Sequence, residues 1–118
     1  MLTIKYQTAF KKDFKRIKKR GYDIRLLENV IENLTSGVKL DERYRDHALS
    51  GDWGGFRECH IAPDWLLIYQ IDGNELILFL TRTGTHADLL GMYYGSTKSL
   101  RIKMRLERKN PNRIFILP

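Results

Sequence analysis

The apolar positions in the first twenty residues predict a short strand followed by an amphipathic helix. Leu2, Ile4 and Tyr6 alternate with polar residues, which is the period of a strand. Apolar residues then recur at the three- and four-residue intervals of a helix, at Phe10, Phe14 and Ile17. We expect this helix to start with Thr8 as its N-cap and to end at Gly21.

A second helix is predicted directly after the first. Its buried stripe consists of Leu27, Val30, Ile31 and Leu34. Asp23 is the expected N-cap and Gly37 the expected end of this helix. Two amphipathic helices joined by so short a turn predict an antiparallel helical hairpin.

The second half of the chain changes to the pattern of β-strands. Segments rich in β-branched, aromatic and other apolar residues occupy Phe56–Ile61, Trp65–Ile71 and Glu75–Arg82. Asp72-Gly73-Asn74 joins the last two as a tight turn, so the three strands form a β-meander. The apolar runs WLLIY and LILFL require cover on at least one face, and the helical hairpin is the only cover that the pattern offers. The predicted fold class is therefore α+β, with an N-terminal strand and an antiparallel helical hairpin packed on an antiparallel β-meander.

Length and composition restrict the class of protein. The chain has 118 residues, of which 42% are hydrophobic and 30% charged, as in a single globular domain. No apolar run approaches the roughly 20 residues of a membrane span, and the N-terminal residues lack the apolar stretch of a signal peptide. The single cysteine, Cys59, cannot form an internal disulfide. We therefore expect a cytoplasmic protein without a membrane partner.

The charges divide the chain into three parts. Residues 1–40 carry ten basic and four acidic side chains, residues 41–90 carry four and nine, and residues 91–118 carry seven and one. Two basic flanks around an acidic middle favour a polyanion as partner, because neutralising phosphates releases counterions. A solvated lysine surface without a partner explains the same charges equally well.

Three histidines in the acidic middle supply candidate chemistry. His47 lies in a loop-like segment, His60 lies late in a strand, and His86 follows the last strand. Strand ends and adjacent loops of a meander can meet at one edge, so the three imidazoles could share a cleft. RNA phosphodiester cleavage needs a base for the 2′-hydroxyl, an acid for the departing 5′ oxygen and positive charge at phosphorus. Arg82 suits the last task through its planar donor fork.

Each candidate also has a purely structural explanation. A single histidine is more often a hydrogen-bonded surface residue than a catalyst, and Asp64 can serve only to cap a turn. Trp65 can simply belong to the core. No histidine pair has the short ligand spacing of a structural zinc site, and Cys59 is expected on the opposite strand face from His60, so no metal is predicted.

The segment from Tyr44 to Leu90 adds a resemblance to a known family. Three motifs occur in order, DHALSGDW, RECHIAPDWLLIY and RTGTHADL. Together they resemble the YafQ group of the RelE/ParE superfamily, bacterial type II toxins that act as mRNA interferases. Weaker motifs extend the likeness to the N-terminal strand and helices. The resemblance therefore predicts a toxin domain over residues 1–90.

The resemblance implies a fold, an activity and partners. The fold would be microbial-ribonuclease-like, and the activity would be ribosome-dependent cleavage of mRNA that leaves a 2′,3′-cyclic phosphate or 3′-phosphate and a 5′-hydroxyl. The expected partners are a cognate antitoxin, the ribosome and mRNA, and no cofactor is expected. Carried over by position, the family's site residues fall on His47, His60, Asp64, Trp65, Arg82 and His86. The aromatic residue that usually closes the last motif is replaced by Leu90.

Roles follow for these residues as hypotheses. His86 is the expected general acid and Arg82 the phosphate clamp. The base is either His60 or His47, with Asp64 orienting a histidine or taking the proton itself. Trp65 and Leu90 are expected to contact RNA bases, with core packing as the alternative for Trp65. The first helix is expected to dock on ribosomal RNA through Lys11, Lys12, Lys15, Arg16, Lys18 and Lys19.

Two other functions and the C-terminal segment stay open. A ParE-like toxin would bind DNA gyrase without any RNase activity, and a catalytically weakened toxin would act as an antitoxin-bound transcriptional regulator. Residues 91–118 form a basic extension outside the resemblance. Alternation from Leu100 to Glu107 favours a further β-hairpin, with an RNA-contacting arm or a flexible tail as the alternatives.

Overall fold

A computed structural model of the protein describes residues 1–89. Its strands are β1 Thr3–Tyr6, β2 His47–Ala48, β3 Arg57–Ala62, β4 Trp65–Asp72 and β5 Ile77–Gly84, and its helices are α1 Thr8–Lys19 and α2 Ile24–Thr35. Two 3-10 turns, Glu42–Tyr44 and Gly51–Trp53, flank β2. Leu90 and the extension over residues 91–118 lie outside the described residues. Within residues 1–89 no helix has the length and apolarity needed to cross a membrane.

The strands form one five-stranded sheet in the order β1-β5-β4-β3-β2. The predicted meander is present as β3, β4 and β5, each within two residues of its expected bounds. β1 adds to it by pairing parallel with β5, from Thr3 opposite Ile77 to Tyr6 opposite Leu80. The α+β class is confirmed, and the sheet is mixed rather than purely antiparallel. The turn between β4 and β5 is longer than predicted and covers residues 73–76.

The ends of the helices follow local hydrogen bonding. Asp23 caps α2 as predicted, because its side chain accepts from the backbone N–H of Arg25. Thr8 was predicted as the cap of α1, but it is already helical and Gln7 is the capping residue. Gln7 stays extended because its N–H donates to the carbonyl of Leu80 on β5 at 3.0 Å. The strand therefore continues one residue further before the helix begins.

The predicted stripes of both helices are buried against one face of the sheet. These stripe residues are Phe10, Phe14, Ile17, Leu27, Val30, Ile31 and Leu34. They pack on inward-facing sheet residues, among them Cys59, Trp65, Leu67, Tyr69, Leu78 and Leu80. This helical core covers only that face.

The other face of the sheet has its own apolar cluster, so the helical hairpin is not the only cover. The cluster consists of Trp53, Phe56, Leu66, Ile68 and Leu89. Trp53 belongs to a 3-10 turn and Leu89 follows β5, and both fold back over the middle of the sheet. The apolar run WLLIY of β4 is therefore buried on both faces.

A β-bulge in β5 decides which face Arg82 occupies. Tyr69 pairs with Leu80, whereas its neighbour Ile68 pairs with Arg82, which leaves Thr81 as the extra residue. Uninterrupted alternation would place Arg82 with Leu80 on the helical side. The bulge instead turns Arg82 to the face that carries Ile68.

Candidate active site

Three chemically active side chains meet on the sheet face opposite the helical core. Glu58 and His60 are two residues apart on β3 and therefore point to the same side, while Cys59 between them is buried in the helical core. His47 on β2 lies directly opposite Glu58 in the strand register. The geometry thus brings residues from separate segments onto one row.

A single carboxylate lies between two of the imidazoles. Glu58 is 7% exposed, and its Oε1 is 3.5 Å from Nε2 of His47 and 3.8 Å from Nε2 of His60. A carboxylate in this position stabilises positive charge on either ring. Glu58 therefore links the two candidate bases electrostatically.

His86 completes the row beyond His60. The centroids of these two rings are 5.9 Å apart. Oδ1 of Asp64 accepts hydrogen bonds from the backbone N–H of His86 at 2.9 Å and from its Nδ1 at 2.6 Å. These two bonds hold the pKa of the Asp64 carboxyl below its ordinary value, and the bond from the backbone N–H has the larger effect. Because an ionised carboxylate only accepts, Nδ1 of His86 carries a proton and Nε2 is the nitrogen available for proton exchange.

The loop before β2 fixes the position of His47. Asp46 receives hydrogen bonds from Arg57, with Nη2 at 3.0 Å, and from the hydroxyl of Tyr69. Burial, followed by the hydrogen bond to Asp46, raises the pKa of Tyr69, so this hydroxyl remains a donor. Nδ1 of His47 donates to the carbonyl of Arg45 at 2.7 Å. Both the loop and the ring tautomer are therefore defined.

The turn that carries His86 is anchored to helix α1. The Asp88 carboxylate accepts two bonds from Arg20, at 2.7 and 3.0 Å, and one from the backbone N–H of Thr85 at 3.0 Å. The Arg20 guanidinium is the main cause of a strongly lowered pKa at Asp88. Gly84 has φ 151°, and a Cβ there would lie 2.8 Å from the Asp88 carboxylate, so only glycine permits this close turn.

Arg82, the predicted phosphate clamp, already binds a carboxylate of the protein itself. Its Nε and Nη2 bind the carboxylate of Asp13 on α1 at 2.6 and 3.1 Å. Asp13 is 2% exposed and also accepts from the backbone N–H of Thr83 at 3.1 Å. Two nitrogens of the donor fork are therefore already engaged within the protein. Both N–H groups of Nη1 and the second N–H group of Nη2 remain available to a phosphate.

Trp65 is a core residue, so the prediction that it contacts an RNA base is wrong. Its side chain is 4% exposed and lies in the helical core, on the opposite face from His60. Its Nε1–H donates to the hydroxyl of Thr83 at 2.9 Å, and Tyr22 packs edge-on at 4.9 Å between centroids. The alternative of core packing is what the structure shows.

The basic residues of α1 form an exposed surface. Lys12, Lys15, Arg16, Lys18 and Lys19 are exposed and Lys11 is partly exposed. This arrangement suits contact with a polyanion but does not identify one. Leu90, the other predicted RNA contact, lies outside the described residues.

Sequence reasoning overlooked several residues that the geometry brings to the site. Glu58 stands between the histidines, Asp13 holds Arg82, and Asp88 holds the turn of His86. Glu58 was detectable, because strand alternation in RECHI places it on the same face as His60. The two aspartates pair with residues 69 and 68 positions away in the sequence, and no local pattern indicates such partners.

The arrangement is suited to proton transfer. Two imidazoles stand side by side, and each has a carboxylate near it, with Glu58 close to His60 and Asp64 on His86. Such a pair can supply both a base and an acid near neutral pH. In the described residues 1–89, no group of three or more His, Cys, Asp or Glu side chains is arranged to hold a metal ion.

Comparison with known proteins shows similarity to a family of bacterial toxins. Residues 2–91 match the family model described as "Bacterial toxin of type II toxin-antitoxin system, YafQ". The Escherichia coli K12 protein named "mRNA interferase toxin YafQ" is 39% identical over 89 residues, which cover 75% of this chain and 95% of that protein. The match omits most of the C-terminal extension.

Solved structures show the same fold at similar identity. A metal-bound toxin from Helicobacter pylori superposes with a TM-score of 0.72 at 47% identity, covering 75% of this chain and 99% of its own. YafQ in the E. coli DinJ-YafQ complex gives a TM-score of 0.70 at 38% identity, covering 77% of this chain and 100% of its own. Both likenesses span nearly the whole of the related toxin.

Proposed function

This chain belongs to the YafQ family of bacterial type II toxins, and we propose that it is a ribosome-dependent mRNA endoribonuclease that inhibits translation. The observation that carries the proposal is the pairing of His60 and His86 at 5.9 Å, each with a carboxylate close by. A gyrase-binding toxin has no need of two such imidazoles on one exposed face.

The proposed reaction uses the 2′-hydroxyl of the RNA as its nucleophile. His60 removes the 2′ proton as the oxygen attacks phosphorus, and the bond from phosphorus to the 5′ oxygen breaks. His86 gives the proton on Nε2 to that leaving oxygen. The products are a 2′,3′-cyclic phosphate and a 5′-hydroxyl. Each positioned histidine is expected to increase the cleavage rate by about 10²- to 10⁴-fold.

The assignment of the base to His60 rests on proximity. His60 lies beside His86, so both rings can reach one phosphate, whereas His47 stands on the far side of Glu58. Glu58 would stabilise the imidazolium that forms on His60. The lowered pKa of Asp64 makes it a weak base, which favours its role in orienting His86.

Arg82 supplies positive charge at the phosphate in this scheme. Asp13 uses one N–H group each of Nε and Nη2, so the contact to the phosphate runs through the N–H groups that remain on Nη1 and Nη2. The H. pylori relative is described as metal-bound, but residues 1–89 of this chain contain no fitting cluster and no proposed step uses a metal.

An antitoxin is the proposed protein partner. The E. coli relative is described in complex with DinJ, and a cognate antitoxin of this chain would act in the cytoplasm. A segment that becomes ordered on contact could cover α1, the row formed by His47, His60 and His86 (the histidine row), or both. An acidic segment would complement the lysines of α1.

The direct test is a primer-extension map of mRNA after brief induction of the toxin. We expect discrete breaks in phase with codons in the wild type and none in a His60→Ala, His86→Ala variant. Intact mRNA together with arrested gyrase would instead identify a gyrase poison. Intact mRNA with active gyrase would identify a transcriptional regulator, and either result contradicts the proposal.

We further propose that the lysine surface of α1 docks the toxin on ribosomal RNA. A Lys15→Glu, Lys19→Glu variant is expected to bind ribosomes about tenfold more weakly and with a flatter salt dependence. Arg25→Glu, Lys39→Glu is the matched control, because it reverses two exposed charges away from α1. Sedimentation binding at several salt concentrations measures both effects. Equal affinity of the two variants would contradict this role.

A further inference from the structure

A cavity of about 420 Å³ opens beside His60. It lies between helix α2, the 3-10 turn over Glu42–Tyr44 and the end of β3. Its lining consists of His60 with Leu26, Arg43, Tyr44, Arg45, Ile61, Ala62 and Pro63. The volume falls within the roughly 300–1,000 Å³ of small-molecule sites. His60 belongs both to the lining of the cavity and to the proposed active site, so the two lie side by side.

The cavity combines apolar walls with two arginines that form no ion pair with any carboxylate of residues 1–89. The other arginines of the acidic middle are paired, Arg57 with Asp46 and Arg82 with Asp13. For Arg43 and Arg45, no carboxylate oxygen of residues 1–89 lies within 4.0 Å of the guanidinium; the described ion pairs involve other cations. Two cations without an ion pair in the described part of the chain mark a place where an anion would be stabilised.

Tyr44 and Arg43 form a cation–π pair in the wall of the cavity. The Arg43 guanidinium lies 4.8 Å from the centroid of the Tyr44 ring and its Nη2 donates to the Tyr44 hydroxyl at 2.8 Å. Aromatic and guanidinium planes are the groups on which unpaired RNA bases stack. Leu26, 43% exposed, and Pro63 supply further apolar surface.

The backbone of Arg45 couples the cavity to the histidine row. Arg45 has φ 49°, a left-handed conformation that is unfavourable for a residue with a side chain. In this conformation its carbonyl accepts from Nδ1 of His47 at 2.7 Å, while the residue lines the cavity. One turn therefore positions both a cation of the cavity and an imidazole of the site.

We propose that this cavity binds the nucleotide on the 5′ side of the scissile bond, the one that carries the attacking 2′-hydroxyl. The inference rests on the proposed function, in which His60 stands at that hydroxyl and His86 at the leaving oxygen. The cavity adjoins His60, so it receives the nucleotide on that side. The base packs against Tyr44 and the apolar walls, and the phosphate preceding it binds Arg43 and Arg45.

The test compares steady-state cleavage of ribosome-bound mRNA by two variants of equal charge. Arg43→Gln, Arg45→Gln is expected to raise KM at least about tenfold and to change kcat less than about twofold. Arg25→Gln, Lys39→Gln removes two exposed cations outside the cavity and is expected to behave as the wild type. Leu26→Trp narrows the cavity without a change of charge. It is expected to alter the base preference on the 5′ side of the mapped breaks, an effect that a purely structural role would not produce.

The outcomes separate this inference from the proposed function. Cleavage by the wild type with no difference between the two double variants would overturn the cavity assignment alone. Weaker binding of Arg43→Gln, Arg45→Gln to ribosomes without mRNA would assign the arginines to ribosomal RNA and also overturn it. Absence of cleavage by the wild type would reject the proposed function itself.

Discussion

Cleavage of ribosome-bound mRNA is expected to fall by about 10²- to 10⁴-fold when His86 is replaced by alanine. The loss follows from the geometry, in which Asp64 holds Nδ1 and leaves Nε2 to protonate the leaving oxygen. Without that proton the 5′ oxygen would depart as an alkoxide. Single-turnover rates at saturating ribosome concentration measure the chemical step directly.

Asp64→Asn is the informative companion of this variant. Asparagine can still accept from the backbone N–H of His86, so the turn is preserved while the carboxylate charge is lost. We expect a smaller rate loss than for His86→Ala, with KM unchanged. Ala87→Ser, an exposed change in the same turn, controls for disturbance of the backbone. A loss of less than about tenfold in folded His86→Ala would remove His86 as the general acid.

The second large effect concerns stability. Arg82→Ala is expected to lower the free energy of unfolding by about 3–5 kcal/mol, because it leaves the buried Asp13 carboxylate without its main partner. A small domain has only about 5–15 kcal/mol of stability, so the variant would be marginally folded. Urea denaturation followed by far-UV circular dichroism gives the difference.

A second substitution distinguishes an uncompensated charge from lost packing. Asp13→Asn removes the charge and keeps an oxygen that can accept from the backbone N–H of Thr83. The variant Asp13→Asn, Arg82→Ala is therefore expected to be more stable than Arg82→Ala alone. If the double variant is the less stable one, the ion-pair explanation is wrong. The double variant also permits a test of Arg82 in cleavage with less interference from unfolding.

The sequence was sufficient to predict the layers of the fold. The two helical stripes and the three central strands are regular enough that period alone places them, and all seven stripe residues are buried. The apolar cluster on the sheet face opposite the helices was not predicted. Trp53 and Leu89 lie in short irregular segments, which carry no period and reveal their packing only once the chain is folded.

Some residues of the candidate site were placed correctly by the sequence and others were not, for the same reason. His60 and His86 meet because β3 and β5 are both antiparallel to β4, so their C-terminal ends lie at the same end of the sheet. The direction of the Arg82 side chain depends on the bulge at Thr81. A single inserted residue turns the side chains that follow it to the other face of the sheet, and the amino-acid composition does not indicate where it occurs. Trp65 was misplaced because a motif likeness does not distinguish a tryptophan that contacts substrate from one that supports the fold.

The roles of His60 and His86 both require the 2′-hydroxyl of the mRNA as nucleophile. The most direct measurement therefore uses an mRNA with a single 2′-deoxynucleotide on the 5′ side of a mapped break, bound to ribosomes beside an unmodified control. Cleavage at that position is expected to disappear while breaks elsewhere in the same mRNA persist. Continued cleavage at the 2′-deoxy position would require another nucleophile and would contradict the roles of His60 and His86.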